Sequence, residues 1–209
     1  MDNKTILVAT ANRGKAEEIK KIFADSGFEI KFLFDFPETT KDLEIFENAK
    51  SFEGNALIKA IIVGDLLNMI TLADDSGLCV DALNGRPGIY SARYSGLGDD
   101  KANYEQVLEE MKNIPESGRG AHYHCSVALY NPDTKFVETV EGNWAGRLAF
   151  APKGDKSFGY APIFLPADFN YEKTSAEFEH GDLININHRG QAFRRALEIL
   201  KKAPFNFEK

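Results

Sequence analysis

"TILVATANRGKAEEIKKIFADSG", residues 5–27, decides the class of fold. Its first five residues, "TILVA", are short, apolar and β-branched, as in a strand buried on both faces. "GKAEEIKKIFADSG" follows with apolar residues at helical spacing and stops at Gly27, so it reads as a helix. Working outward, "EIKFLF" (29–34) is a second strand, and the acidic residues 35–51 have little periodicity and read as a loop. "FEGNALIKAIIVGDLLN" (52–68) has helical spacing despite Gly54 and Gly64, and "MITLA" (69–73) is a third strand running into two aspartates. "NYEQVLEEMKNI" (103–114) is an amphipathic helix. "AHYHCSVALYN" (121–131) and "KFVETVEG" (135–142) form a hairpin across "NPDT", and "NWAGRLAF" (143–150) adds a further strand. "KGDKSFGYAPIFLP" (153–166) is a glycine-bearing loop entering an apolar run, and "RGQAFRRALEILKKA" (189–203) closes the chain as a helix. Strand-helix units followed by a long hairpin predict an α/β protein with a mixed sheet.

Composition narrows the function. With 209 residues, 43% of them hydrophobic, the chain has enough apolar material for one sizeable domain or two small lobes sharing a core. A formal charge of −7 and a pI near 5.2 argue against a main function on nucleic acid. Basic clusters such as Arg13/Lys15 and Arg189/Arg194/Arg195 still suit a small polyanion. Two lone cysteines, Cys79 and Cys125, make no disulfide framework. No membrane-length apolar run and no leader pattern are visible, so a cytoplasmic location and no membrane partner are expected.

Two segments carry chemistry. "VATANRGK" (8–15) sets Thr10, Asn12 and Lys15 between a buried strand and a helix start, where backbone N–H groups and a lysine attract anions such as a triphosphate. It lacks the glycine pattern of a Walker A loop, and a plain strand-to-helix turn capped by Asn12 would read the same way. "ADDSGLCVDALNGRPGIYSARYSG" (73–96) places Asp74 beside Asp75, two like charges that need a dication, a helix N-terminus or an arginine. An Asx-type turn is the plain alternative. Glu44 and Glu47 are further carboxylates, and Mg²⁺ favours one or two protein carboxylates with phosphate oxygens and water.

The segments "LVATANRGKAEEIKKIF", "SFEGNALIKA", "LADDSGLCVDALNGRPGIYSARYSG", "FGYAPIFLP" and "HRGQAFRRAL" occur in one order over residues 6–200. In this the chain resembles the inosine/xanthosine triphosphate pyrophosphatase family, hydrolases of non-standard purine nucleotides. The resemblance implies an elongated α/β fold, a mixed β-sheet with flanking helices and two lobes around a central nucleotide cleft. It further implies one ITPase-like domain over residues 1–209 and a homodimer. The implied reaction is Mg²⁺-dependent hydrolysis of ITP, dITP or XTP at the α-phosphorus, yielding monophosphate and pyrophosphate. Carried over, Thr10, Asn12, Arg13 and Lys15 fall on the phosphate-binding turn, Glu47 and Asp75 on metal ligands, and Asp75 also on the catalytic proton acceptor. Lys59 and Ser76 fall on substrate contacts, Phe158 with Tyr160 nearby on the aromatic that stacks on the base, and His188 and Arg189 on the pair that hydrogen-bonds it.

The chain departs from the family pattern in the base-reading loops. Ala161 replaces an aspartate, Leu183 a lysine, Asn187 a serine, and Lys156-Ser157 a pair of glycines. Losing buried polar partners relaxes or redirects base choice more than it slows hydrolysis, and Lys156 or Asn187 is a candidate substitute. Two alternatives therefore stand beside the main reading. One is the same reaction with relaxed or different base specificity; the other is a catalytically silent nucleotide-binding protein, against which the retention of Lys15, Glu47, Lys59 and Asp75 argues.

Overall fold

The structure is a computed structural model that describes residues 4–179 and 181–202. Strand β1 (Lys4–Val8) leads into helix α1 (Arg13–Phe23), and β2 (Phe28–Phe32) returns parallel to β1 with Lys4 opposite Phe28. A one-turn helix, α2 (Pro37–Thr40), interrupts the expected loop and leaves residues 41–51 as an irregular arm. Helix α3 (Phe52–Leu67) then delivers β3 (Thr71–Val80), which pairs parallel on the other side of β1. Helix α4 (Asp100–Glu110), strands β4 (Gly120–Asn131), β5 (Phe136–Leu148) and β6 (Phe164–Pro166), and helix α5 (His188–Leu200) follow among the described residues. The six strands form one sheet in the order β2-β1-β3-β4-β5-β6, with β6 antiparallel to β5, so the sheet is mixed as expected.

Three further elements differ from the sequence expectation. Strand β3 does not stop at the aspartates but runs through them to Val80. The segments "KFVETVEG" and "NWAGRLAF" are one strand, β5, because ladder pairing outweighs the weak strand propensity of Gly142. Helix α4 starts at Asp100, earlier than its apolar spacing suggests, because the Asp99 side chain caps it by accepting from Ala102 N at 2.8 Å.

The described residues fall into two compact units. The first takes those up to Asp75, then Cys125–Gly142, then those from Gly190 onward; the second takes Ser76–His124 and Asn143–Arg189. In the first unit, strand alternation sorts side chains to two buried faces. Ile6, Val8 and Leu72 pack with Ala16 and Ile19 of α1 and Phe193 of α5, whereas Leu7, Ala9 and Ala73 pack with Ala56, Ala60 and Val63 of α3. Ile6, Leu7 and Val8 are wholly buried, each stabilising by about 1.5–3 kcal/mol, so β1 is anchored on both sides just before Thr10. The second unit has its own core of Leu78, Val80, Val107, Met111, Ile163 and Phe164.

The turn between the aspartates and α4 is scaffold. Ser91 Oγ donates to the Gly88 carbonyl at 2.7 Å and accepts from Leu78 N at 3.0 Å. A Cβ at Gly77 would lie 2.4 Å from both the Gly88 carbonyl oxygen and Ser91 Oγ, so only glycine admits this approach. Neither Cys79 nor Cys125 is in a disulfide, and no helix among the described residues is long and apolar enough to cross a membrane.

Candidate active site

The turn after β1 is closed by its own side chains. Thr10, itself buried, accepts from Asn12 N through Oγ1 at 3.2 Å. Asn12 is the N-cap of α1 and accepts from Lys15 N at 3.1 Å, which satisfies one of the helix's exposed donors. The Arg13 guanidinium lies over the Phe34 ring, 4.7 Å from its centroid. Thr10, Asn12 and Lys15 thus gather at the carboxyl end of β1, the end at which open α/β sheets bind ligands.

Asp74 and Asp75 lie just beyond the last residues that β3 pairs with β1, where Val8 stands opposite Leu72. Their adjacency is resolved by strand alternation: consecutive side chains point to opposite faces. Asp74 shares the parity of Leu72 and turns toward α1, where Lys15 Nζ donates to its Oδ2 at 2.8 Å. Asp75 shares the parity of Ala73 and turns toward α3, where Asn55 Nδ2 donates to its Oδ2 at 2.9 Å and Lys59 Nζ lies 3.9 Å from Oδ1. Each acid therefore has a separate donor. Burial pushes the Asp75 carboxyl above the usual carboxylate range, opposed by the Lys59 ammonium and then by the Asn55 amide.

Lys59 also reaches Glu47, with Nζ 3.2 Å from Oε1, so one ammonium faces an oxygen from each of two carboxylates. Glu47 is carried on the arm of residues 41–51, whose Leu43 and Ile45 pack against the α3-side core. Among the described residues no group of three or more His, Cys, Asp and Glu side chains forms a metal cage. Two hard oxygen donors fit Mg²⁺, which draws its other ligands from phosphate and water. Glu44, the other acid considered, is exposed.

The remaining predicted residues belong to the second unit. Ser76 Oγ accepts from Arg189 Nη2 at 3.1 Å. His188 is buried, and its ring lies parallel to that of Tyr123 with centroids 4.7 Å apart and planes at 8°; Trp144 is 6.4 Å away at 17°. Trp144 is fixed in turn, its indole N–H donating to Asp168 Oδ2 at 2.8 Å. Tyr160 is buried and donates its hydroxyl to the Ser91 carbonyl at 2.8 Å, so it is tied to the scaffold turn. Phe158 is 36% exposed, an accessible ring beside Gly159, whose N–H donates to Asp100 Oδ2 at 2.8 Å.

The departures from the family pattern have local accounts. Leu183 packs against the second unit's core, Ala161 and Asn187 are buried, and the Lys156 ammonium pairs with Glu179 at 2.5 Å. Sequence reasoning missed Asn55, Asp100, Tyr123 and Trp144. For Asn55 a signal existed: it lies four residues before Lys59, hence on the same helix face.

The Ham1 family model matches residues 6–199. The dITP/XTP pyrophosphatase of Lactococcus lactis is 41% identical over 200 residues, covering 94% of this chain and 96% of that protein. The dITP/XTP pyrophosphatase of Oceanobacillus iheyensis is 43% identical over 200 residues, covering 95% and 97%. Among solved structures, the Staphylococcus aureus Ham1 protein superposes with a TM-score of 0.81 at 35% identity, covering 95% of this chain and 98% of that one. A HAM1 protein from Coxiella burnetii gives 0.82 at 34% identity, covering 95% and 99%. Nearly full-length similarity of sequence and of fold places the chain in the Ham1 family.

Proposed function

We propose that this protein is a nucleoside triphosphate pyrophosphohydrolase that converts non-standard purine nucleotides (ITP, dITP, XTP) to the monophosphate and pyrophosphate. The observation that carries the reading is the approach of Glu47 and Asp75 to one ammonium, Lys59, in a chain 41% identical to a dITP/XTP pyrophosphatase. With it go Mg²⁺ as the metal, supported by the carboxylate pair; no nucleic-acid partner, supported by the formal charge of −7; a cytoplasmic location, supported by two cysteines in no disulfide; and a homodimer, which the family resemblance implies. Residues 1–209 act in this reading as one ITPase-like domain, since three strands are each divided between the two units.

The division of labour follows from residue chemistry. A polyanionic tail repels attacking water, so its charge must be offset first. Thr10, Asn12, Arg13 and Lys15 offer donors and positive charge at the carboxyl end of β1, and Lys59 adds a second ammonium. Glu47 and Asp75 would hold Mg²⁺, which when bound supplies charge neutralisation at the phosphates. Asp75, made more basic by burial, accepts the proton of the water that attacks the α-phosphorus. Ser76, Phe158, Tyr160, His188 and Arg189 bind the nucleoside end, Phe158 by stacking and His188 and Arg189 by hydrogen bonds.

Pyrophosphate release from ITP and XTP, with and without Mg²⁺, tests this in wild type and Asp75→Asn. Removal of the general base is expected to lower turnover by about 10²–10⁴-fold, and chelation to abolish it. Turnover that survives chelation overturns the reading, and nucleotide binding with no turnover in wild type establishes a silent binder.

A second reading, the same reaction with relaxed base preference, is favoured by Leu183 packing into the core and by the Lys156–Glu179 pair. Neither side chain then offers the base a charged donor. A kinetic panel of ITP, XTP, dUTP, GTP and ATP decides it. A kcat/KM ratio of at least tenfold for ITP and XTP over GTP and ATP refutes relaxation.

A further inference from the structure

Asn55 is 1% exposed and sits in the first turn of α3, yet both ends of its amide are engaged. Its Oδ1 accepts from Ala49 N at 3.0 Å, on the arm two residues past Glu47, and its Nδ2 donates to Asp75 Oδ2 at 2.9 Å. The partners leave one orientation for the amide, because a backbone N–H requires the oxygen and a carboxylate requires the nitrogen. The arm is brought close at the same place: a Cβ on Gly54 would stand 2.6 Å from Ala49 Cβ.

We propose that Asn55 is a positioning residue that sets the spacing and orientation of the Glu47 and Asp75 carboxylates. The inference rests on the reading of those two acids given above. A carboxylate turns about its last torsion in a broad well. With Oδ2 held by Asn55, Oδ1 is the Asp75 oxygen directed to Lys59, and Lys59 is also what Glu47 Oε1 faces. One amide thereby couples the arm carrying Glu47 to the strand carrying Asp75. Alanine makes neither bond. Ionised aspartate keeps the bond from Ala49 N but cannot donate to Asp75.

Asn55→Ala, Asn55→Asp and the reference Asp75→Asn are compared, with folding checked by circular dichroism. Asn55→Ala is expected to lose about 10–100-fold in kcat, the scale of a small misplacement of reacting groups, with KM for ITP within about threefold. Its affinity for Mn²⁺ alone, read by electron paramagnetic resonance, is expected to fall by about fivefold, a change that simple loss of helix stability does not produce. Asn55→Asp is expected to lose kcat as severely as Asn55→Ala. Wild-type kcat in Asn55→Asp overturns the proposal, since the arm tether alone would then suffice, and so does wild-type Mn²⁺ affinity in Asn55→Ala. If Asn55→Ala is unfolded, Asn55→Asp and Asn55→Ser carry the kcat comparison. If Asp75→Asn turns over normally, the reading of the site has failed; if only the Asn55 variants do, this proposal alone has failed.

Discussion

In the first unit the candidate side chains are mostly charged, and Asp74, Asp75 and Glu47 are held by lysines on helices that flank the sheet. In the second unit His188 is held instead by flat contacts with Tyr123 and Trp144, and Phe158 is 36% exposed. In the function proposed above, the charged residues take the polyphosphate and the aromatic ones the base. Charge pairing is strong and tolerant of angle, which suits a mobile polyphosphate tail. Stacking is weaker but fixes a plane, which suits a base. A protein built this way should lose stability and turnover when the first unit is cut, and chiefly affinity when the second is.

The sharpest way to break the comparison is Lys15→Met. It removes the ammonium that donates to the Asp74 side chain, 1% exposed, whereas Lys15 is itself 19% exposed and water offsets part of the loss. We expect a cost of about 3 kcal/mol in urea unfolding, the lower end for breaking a buried pair, and recovery of most of it on adding Asp74→Asn. A cost below about 1 kcal/mol would show that the pair is screened like a surface bridge.

Tyr123→Leu probes the other unit. Loss of a parallel ring contact worth about 0.5–1.5 kcal/mol corresponds to a two- to tenfold rise in KM for ITP, with kcat within about threefold. A fall in kcat at unchanged KM would place the aromatic half in the chemical step and erase the distinction.

The smallest effect is expected away from the candidate residues, at Tyr94. Its hydroxyl donates to Glu110 Oε1 at 2.8 Å and accepts from Arg86 Nη1 at 2.9 Å; burial first, and then Glu110, pushes its pKa up to about 12 from 10.0. The folded protein keeps a proton that the unfolded chain releases, so this stabilisation is complete below pH 10 and is lost as pH rises toward 12. Urea midpoints of Tyr94→Phe at pH 9 and 11 should differ less than those of wild type. Some slope remains, because burial also holds the Tyr123 and Tyr160 hydroxyls above their ordinary range.

Much of the first unit was legible in the sequence because its signals are local. The β-branched run before Thr10, the cap at Asn12 and the helical spacing through Lys59 each lie within a few residues of the feature they specify. The partner of Asp74 could also have been read: in a strand that continues through both acids, parity alone sends them to opposite helices. What hid it was the expectation that β3 ends at Ala73. In the second unit the alternation of "AHYHCSVALYN" sets Tyr123 opposite in face to His122 and His124, but nothing nearby names its partner. The stack on His188 joins residues far apart in the chain, and no periodicity encodes such a meeting. Asn55 was overlooked for another reason: an amide in a helix carries no charge to flag it, and its value depends on two partners from separate segments.

Trp144, seated in the aromatic stack, is the chain's one tryptophan. Emission excited at the red edge of indole absorption therefore originates wholly within the second unit, and the first is dark at that wavelength. Chemical denaturation followed by this light and by far-ultraviolet dichroism gives two curves. Their coincidence or separation reveals whether the halves melt as one cooperative body, without any label being added.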